Sequence, residues 1–318
     1  MKGKKIVSTL LVLLLLASLP VSAHAAVWDV GKGNITISAG SGGQTVTQGD
    51  GAAVEDSAPV ITGSSTENTV TINAEKDQTA SVTLSDASID VSNEGKAAVS
   101  TNGEGNVSIE LDGDNTLKSA TNHAGLEKNN GGSLTIADEN KNGKLTAKGG
   151  DYGAGIGGGW RGSGSDITIS GGEVNATGGV NGAGIGGGCY GYGNNITVSG
   201  DAKLKVQGGV EDNIDGAGAG IGNGGSSDER AIPVTGAEVE PDTSGLTTNG
   251  SIEYYAPGAD MEKDKPEKTT VGTLPPQEKP VEPIEPAVPE QPEAERGADA
   301  PLYRVTDKDG RDIAYTAE

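Results

Sequence analysis

An all-β chain wound as a parallel β-solenoid is what this sequence predicts, and three observations carry the prediction. The heptapeptide GAGIGGG occurs at 153–159 and 182–188 and returns as GAGIGNG at 218–224. Each copy stands in a longer echo, DITISGGEVNATGG at 166–179 becoming NITVSGDAKLKVQGG at 195–209. Short alternating triplets also recur: Ile35-Thr36-Ile37, Val70-Thr71-Ile72, Val82-Thr83-Leu84, Val107-Ser108-Ile109, Leu134-Thr135-Ile136, Ile167-Thr168-Ile169 and Ile196-Thr197-Val198. A unit repeated in this way buries its open faces by stacking on its neighbours.

Taken in order, residues 1–25 read as a secretory signal peptide. Lys2, Lys4 and Lys5 precede an apolar run from Ile6 to Leu16, and Ala23-His24-Ala25 offers a small-residue cleavage site. The chain is therefore expected to be secreted, extracellular or associated with the cell surface. No later run reaches the roughly 20 apolar residues of a membrane span. No Cys follows the run to serve as a lipoprotein anchor.

Residues 26–69, with Trp28 near their start, are expected to form the N-terminal cap and the first irregular rungs. The regular solenoid should run from 70 to 237. In each triplet the outer aliphatics share one face and the middle hydroxyl takes the other. A second alternating pair follows several triplets: Ile89 and Val91, Leu145 and Ala147, Val174 and Ala176, Leu204 and Val206. The glycine heptads supply a third segment with Ile156, Ile185 and Ile221 as lone aliphatics, and Leu126 is a weaker version. Two strands and a glycine segment in about 25–36 residues make one turn of a three-sided coil.

Composition changes after Ala237. Eleven of the 14 prolines lie between 241 and 301, and from Pro280 to Pro292 they fall on every third position. That spacing lines one edge of a polyproline helix, stiffened by repulsion among Glu282, Glu285, Glu290 and Glu293. Residues 238–300 are thus expected to be a disordered Pro/Glu-rich linker. In 301–318, Leu302 to Val305 and Ile313 to Thr316 flank Asp307-Lys308-Asp309-Gly310 as in a hairpin. Two strands are too few to stand alone, so the segment reads as the start of a further β module in a fragment of a longer protein.

The formal charge of −22 disfavours nucleic acid and anionic lipid as partners. The single cysteine, Cys189, excludes an intrachain disulfide. With no Phe and 3% aromatic residues, the core must be stacked small aliphatics rather than rings.

GAGIGG at 153–158 and 182–187 satisfies the dinucleotide pattern G-x-G-x-x-G, but Trp160-Arg161-Gly162 and then another strand follow where a helix must begin. Close backbone packing at a corner of the coil is the better reading. Gly162-Ser163-Gly164-Ser165-Asp166 is similar to a calcium-binding nonapeptide, yet the aliphatics at 167 and 169 have the wrong parity for it. Asp112 and Asp114 read as a solvated turn. No cofactor is assigned, and calcium has no motif to support it. His24 leaves with the signal, and His123 has no nucleophile nearby, so no catalytic residue is assigned either.

Two surfaces remain as binding candidates. Thr36, Thr71, Thr83, Ser108, Thr135, Thr168 and Thr197 would form one hydroxyl column if every triplet were the same strand, although Thr suits strands without any ligand. Tyr152 and Trp160 in one rung, with Tyr190 and Tyr192 in the next, would place rings along one edge. Flat rings with a polar handle suit stacking on sugars, and they also suit covering glycine backbone. These four residues are the candidate glycan-stacking site.

The stretch AGLEKNNGGSLTIADENKNGKLTAKGGDYGAGIGGGWRGSGSDITISGGEVNATGGVNGAGIGGG resembles the glycine-rich repeat region of Gram-positive surface proteins, the carbohydrate-binding-domain-containing or adhesin-like kind. The resemblance covers about 105–225. It implies a pectin-lyase-like fold, a single-stranded right-handed parallel β-helix, and a surface role, and it carries no catalytic residues across. LPPQE at 274–278 is no sortase motif. The expected function is a non-enzymatic, adhesin-like contact with carbohydrate or an extracellular surface component, as a monomer. The alternatives are a polysaccharide lyase or glycoside hydrolase on the same fold, and a structural spacer for a C-terminal module.

Overall fold

The computed structural model describes residues 25–228 and 232–276, together with the backbone of two short strands, Val305–Thr306 and Asp312–Ile313. The chain divides at Gln277 into two compact units. The first is an all-β solenoid of about six turns.

Three ladders of parallel strands form its faces. The first runs through Asn106–Asp112, Leu134–Ala137, Ile167–Ile169 and Ile196–Val198. The second runs through Asp114–Lys118, Lys144–Lys148, Glu173–Thr177, Lys203–Gln207 and Ser251–Tyr255. The long strand Thr79–Asp90 belongs to both, pairing with Asn106–Asp112 by its first half and with Asp114–Lys118 by its second. The third ladder runs through Ile35–Gly40, Val70–Ala74, Val99–Gly103, Leu126–Lys128, Ile156–Gly157, Ile185–Gly186 and Ile221–Gly222.

The core follows from register. Leu134, Ile167 and Ile196 stack in one column, Leu145, Val174, Leu204 and Ile252 in another, and Leu126, Ile156, Ile185 and Ile221 in a third. All are buried. Neighbouring strands lie about 4.8 Å apart, so each branched aliphatic covers the one below without a larger ring. Burying one such side chain contributes about 1.5–3 kcal/mol, and the gain is repeated at every rung.

The middle of each glycine heptad, Ile156–Gly157, Ile185–Gly186 and Ile221–Gly222, is a short strand of the third face, so only the glycines that follow it fit the expected corner. Gly157, Gly186 and Gly222 have φ of 134°, 132° and 139°, a region L side chains rarely adopt. A Cβ on Gly157 would meet the carbonyl oxygen of Gly186, and one on Gly186 that of Gly222. The spacing of the heptad is therefore set by rung-to-rung backbone contact.

The single hydroxyl column is also corrected. Ser81, Ser108, Thr135, Thr168 and Thr197 align on the first face, whereas Thr36 and Thr71 align with Ser100 on the third. Thr83 stands two positions along and pairs with Val60 and Glu110. Aliphatic–hydroxyl–aliphatic suits any face of the coil, so the triplet alone cannot tell one face from another.

At the leading end, Val27–Asp29 pairs in parallel with Val60–Ser65, so stacking begins inside the segment read as a cap. An antiparallel strand Gly43–Gln48 follows, paired to Ile35–Gly40, and it carries Val54–Glu55 on its other side. Trp28 donates from Nε1 to Asp56 at 2.8 Å and packs on the core rim.

At the trailing end the linker boundary at 238 is overturned. Asp242 bridges Thr197, Leu246 bridges Gly200, and Ser251–Tyr255 adds a rung to the second face. Lys268–Val271 then runs antiparallel along it and closes the edge. Alternation was present here, with Ile252 and Tyr254 turned inward, but the surrounding Pro and Glu masked it. Tyr254 takes the register position that Ala176 and Val206 hold in the inner rungs, and Lys268 lies over its ring at 4.9 Å.

In the second unit, Val305 pairs with Ile313 and Thr306 with Asp312 in an antiparallel ladder. The signal segment 1–24, the expected linker from 277 to 300 and residues 301–304 lie outside the described residues.

Candidate functional site

The aromatic edge is built where the chain leaves the third face. After Ile156–Gly157 the backbone turns through Gly158 and Gly159, and Gly162 N–H closes the turn on Gly159 O at 2.7 Å. One rung on, Gly191 N–H closes on Gly188 O at 2.6 Å. Arg161 N–H donates to Cys189 O at 2.8 Å, which locks the two turns together. Arg161 and Tyr190 occupy equivalent repeat positions, and both are left-handed, at φ 60° and 63°.

Three of the four expected residues lie exposed along this edge: Trp160 at 48%, Tyr190 at 37% and Tyr192 at 64%. Trp160 and Tyr190 meet through Arg161, whose guanidinium carbon lies 4.6 Å from the Trp160 ring centroid and 5.7 Å from that of Tyr190. A cation over a ring face is attracted by the ring quadrupole. Tyr192 is tied in through its backbone, donating from N–H to Ser163 Oγ at 3.3 Å and accepting from Gly164 N–H at 2.9 Å. Tyr152 stands apart. It is half-buried at φ 71°, its carbonyl accepts from Cys189 N–H at 2.9 Å, and burial, followed by the nearby Asp212 carboxylate, raises its phenol pKa.

The floor of the edge is polar. Tyr190 Oη donates to Asp215 Oδ1 at 2.6 Å and lies 2.6 Å from Ser227 Oγ. Cys189 is buried, with Sγ 3.6 Å from Asp215 Oδ2. Burial first and the Asp215 charge second push its thiol up to about 12. It is held as a neutral thiol, the unreactive form.

Sequence reading missed Arg161, Asp215 and Ser227. The repeat held a signal for the first: aligning GAGIGGGWRG with GAGIGGGCYG puts Arg161, not Trp160, opposite Tyr190. Asp215 and Ser227 come from segments outside the repeat, and only folding brings them in.

A second concavity, of about 720 Å³, lies beside the second face and is walled in part by Thr247 and Asn249 of the trailing segment. Two of its lysines lie against carboxylates. Lys141 Nζ lies 2.8 Å from Asp201 Oδ2, and Lys144 Nζ lies 3.6 Å from Glu173 and 3.9 Å from Asp114. The hydrogen bond from Lys141, then that from Thr247, holds Asp201 below the usual carboxylate range. The same Asp201 bond raises Lys141. Asp114, Lys144, Glu173 and Lys203 follow in register, a column of alternating sign.

Asp112, His123 and Glu127 are also engaged. Asp112 accepts from Asn142 at 2.9 Å, Ser85 at 2.9 Å and Asn140 at 3.2 Å, and these bonds lower its pKa. His123 Nδ1 lies 2.8 Å from Glu127 Oε2. Glu127 stands in register with Gly157 and also accepts from Ala124 N–H and Asn129 Nδ2. Among the described residues no three His, Cys, Asp or Glu side chains are grouped to hold a metal ion. No helix among them is long and apolar enough to cross a membrane. Compared with protein-family models, curated proteins and solved structures, the chain gives no match in any of the three.

Proposed function

We propose that this chain is an exported, non-enzymatic solenoid whose aromatic edge contacts carbohydrate or other extracellular material. The observation that carries this reading is the exposure of Trp160 and Tyr190 on two successive rungs, joined by Arg161 and followed by Tyr192. Amphipathic rings offer a flat apolar face to a sugar and a polar tip to its hydroxyls. The stacked glycine turns beneath them give the rings a fixed support, which favours a preorganised site. The signal-like leader, the Pro/Glu-rich spacer and the likeness of 105–225 to Gram-positive surface proteins belong to the same proposal.

Glycan-array binding by the full chain, compared with Trp160→Ala and Tyr190→Ala, tests the reading. Retention of a glycan by the wild type and its loss in both variants is the expected result. A wild-type chain that retains nothing defeats the carbohydrate reading, and release of new reducing or unsaturated ends from a polysaccharide defeats the non-enzymatic one.

A further inference from the structure

The cation at the centre of the aromatic edge is paired with no carboxylate among the described residues. Arg161 is exposed, and among the described residues it forms no ion pair and its guanidinium no hydrogen bond. Two acids near Cys189 take hydrogen bonds from other groups. Asp215 takes the Tyr190 hydroxyl and faces the Cys189 thiol, and Asp212 accepts from Ile214 N–H at 2.8 Å and Asp215 N–H at 2.6 Å. In the cleft, by contrast, Lys141 and Lys144 each lie against a carboxylate.

A chain of net charge −22 has acidic groups in plenty to pair with an arginine. Here the guanidinium lies over two rings, and among the described residues its N–H donors make no hydrogen bond. The backbone at Arg161 is also left-handed at φ 60°, a conformation that Gly or Asn adopts more readily than Arg.

We propose that Arg161 is a binding residue that makes the edge selective for a carboxylate-bearing sugar, such as a uronic acid unit. The sugar ring would lie on the exposed faces of Trp160 and Tyr192, and its carboxylate would accept from the guanidinium. A planar fork of N–H donors matches a planar carboxylate with two parallel bonds. A point charge such as lysine gives the attraction without the geometry. The inference rests on the carbohydrate reading above and adds the chemistry of the ligand.

Titration calorimetry on the full chain provides the test, with glucuronate-containing oligosaccharides, their methyl esters, and a sulfated glucan that has no carboxylate. Two variants separate charge from geometry. Arg161→Gly removes the cation and suits φ 60°, so it keeps the fold, and Arg161→Lys keeps the charge and loses the fork. The acid form should bind about tenfold more tightly than the ester, the size expected for one charge-assisted pair. Arg161→Gly should abolish the difference, Arg161→Lys should keep only part of it, and added salt should shrink it.

Equal affinity for acid and ester in the wild type, with Trp160→Ala still abolishing both, overturns the selectivity and leaves the carbohydrate reading standing. Preference for the sulfated glucan over the glucuronate overturns the carboxylate assignment. Binding of no saccharide at all removes both readings together.

Discussion

The aromatic edge and the charged cleft grow from the same repeat and solve opposite problems. The edge is made of backbone: glycine turns stack by direct carbonyl contact, and the rings and Arg161 stand on top of them. The cleft is made of side chains on regular strands, where successive rungs alternate in sign and neutralise one another. A surface built from backbone tolerates almost no change underneath and much change on top. One built from exposed ion pairs tolerates change throughout, because each pair contributes little.

The sharpest way to break this contrast is to add atoms beneath the edge. Gly186→Ala places a Cβ against Gly222 O at φ 132°. The strain and the forced shift of the next rung should cost about 2–4 kcal/mol, read as a lower urea midpoint. An unchanged midpoint would show that the third face is not held by glycine contact.

A smaller effect is expected from the floor of the edge. Tyr190→Phe removes the hydroxyl that Asp215 accepts and should cost about 1–3 kcal/mol, since the carboxylate is left without that partner. It should also make Cys189 still harder to ionise, because the Asp215 charge is then less compensated. Slower alkylation of the folded variant at alkaline pH would show this, and faster alkylation would show instead that the tyrosine shields the thiol.

The smallest effects belong to the cleft. Lys144→Ala should change stability by no more than about 0.5 kcal/mol, as exposed pairs do. The contribution of Asp201 should be lost only in acid. Its folded pKa lies below its ordinary 3.8, so its contribution is complete above 3.8 and is lost as pH falls through the lower folded value. Asp201→Asn should therefore lower the neutral-pH unfolding midpoint and leave the most acidic midpoints near those of the wild type. An equal shift at every pH would trace the effect to packing and not to the charge.

Much of this was legible beforehand. The Ile156, Ile185 and Ile221 column and the pairs Leu145/Ala147, Val174/Ala176 and Leu204/Val206 were readable because a repeat states its own period. The adjacency of the two ring-bearing turns followed from the same period. Three things were not legible. Thr36 and Thr168 look alike locally and lie on different faces. Ser251–Tyr255 sits in Pro- and Glu-rich surroundings that read as spacer. Arg161 was not singled out, and only the fold sets Trp160 and Tyr190 beside it.

By itself, then, the sequence determined that strands would stack, how far apart the rungs lie along the chain, and which aliphatics fill the core. Those properties depend on local alternation and on a repeated unit covering its copy. Only the tertiary structure decided which face each strand joins, where the coil ends, and that Arg161 meets two rings while Asp215 and Ser227 take the Tyr190 hydroxyl. Those depend on residues far apart in the chain arriving at one edge, and on whether a charge finds a partner there.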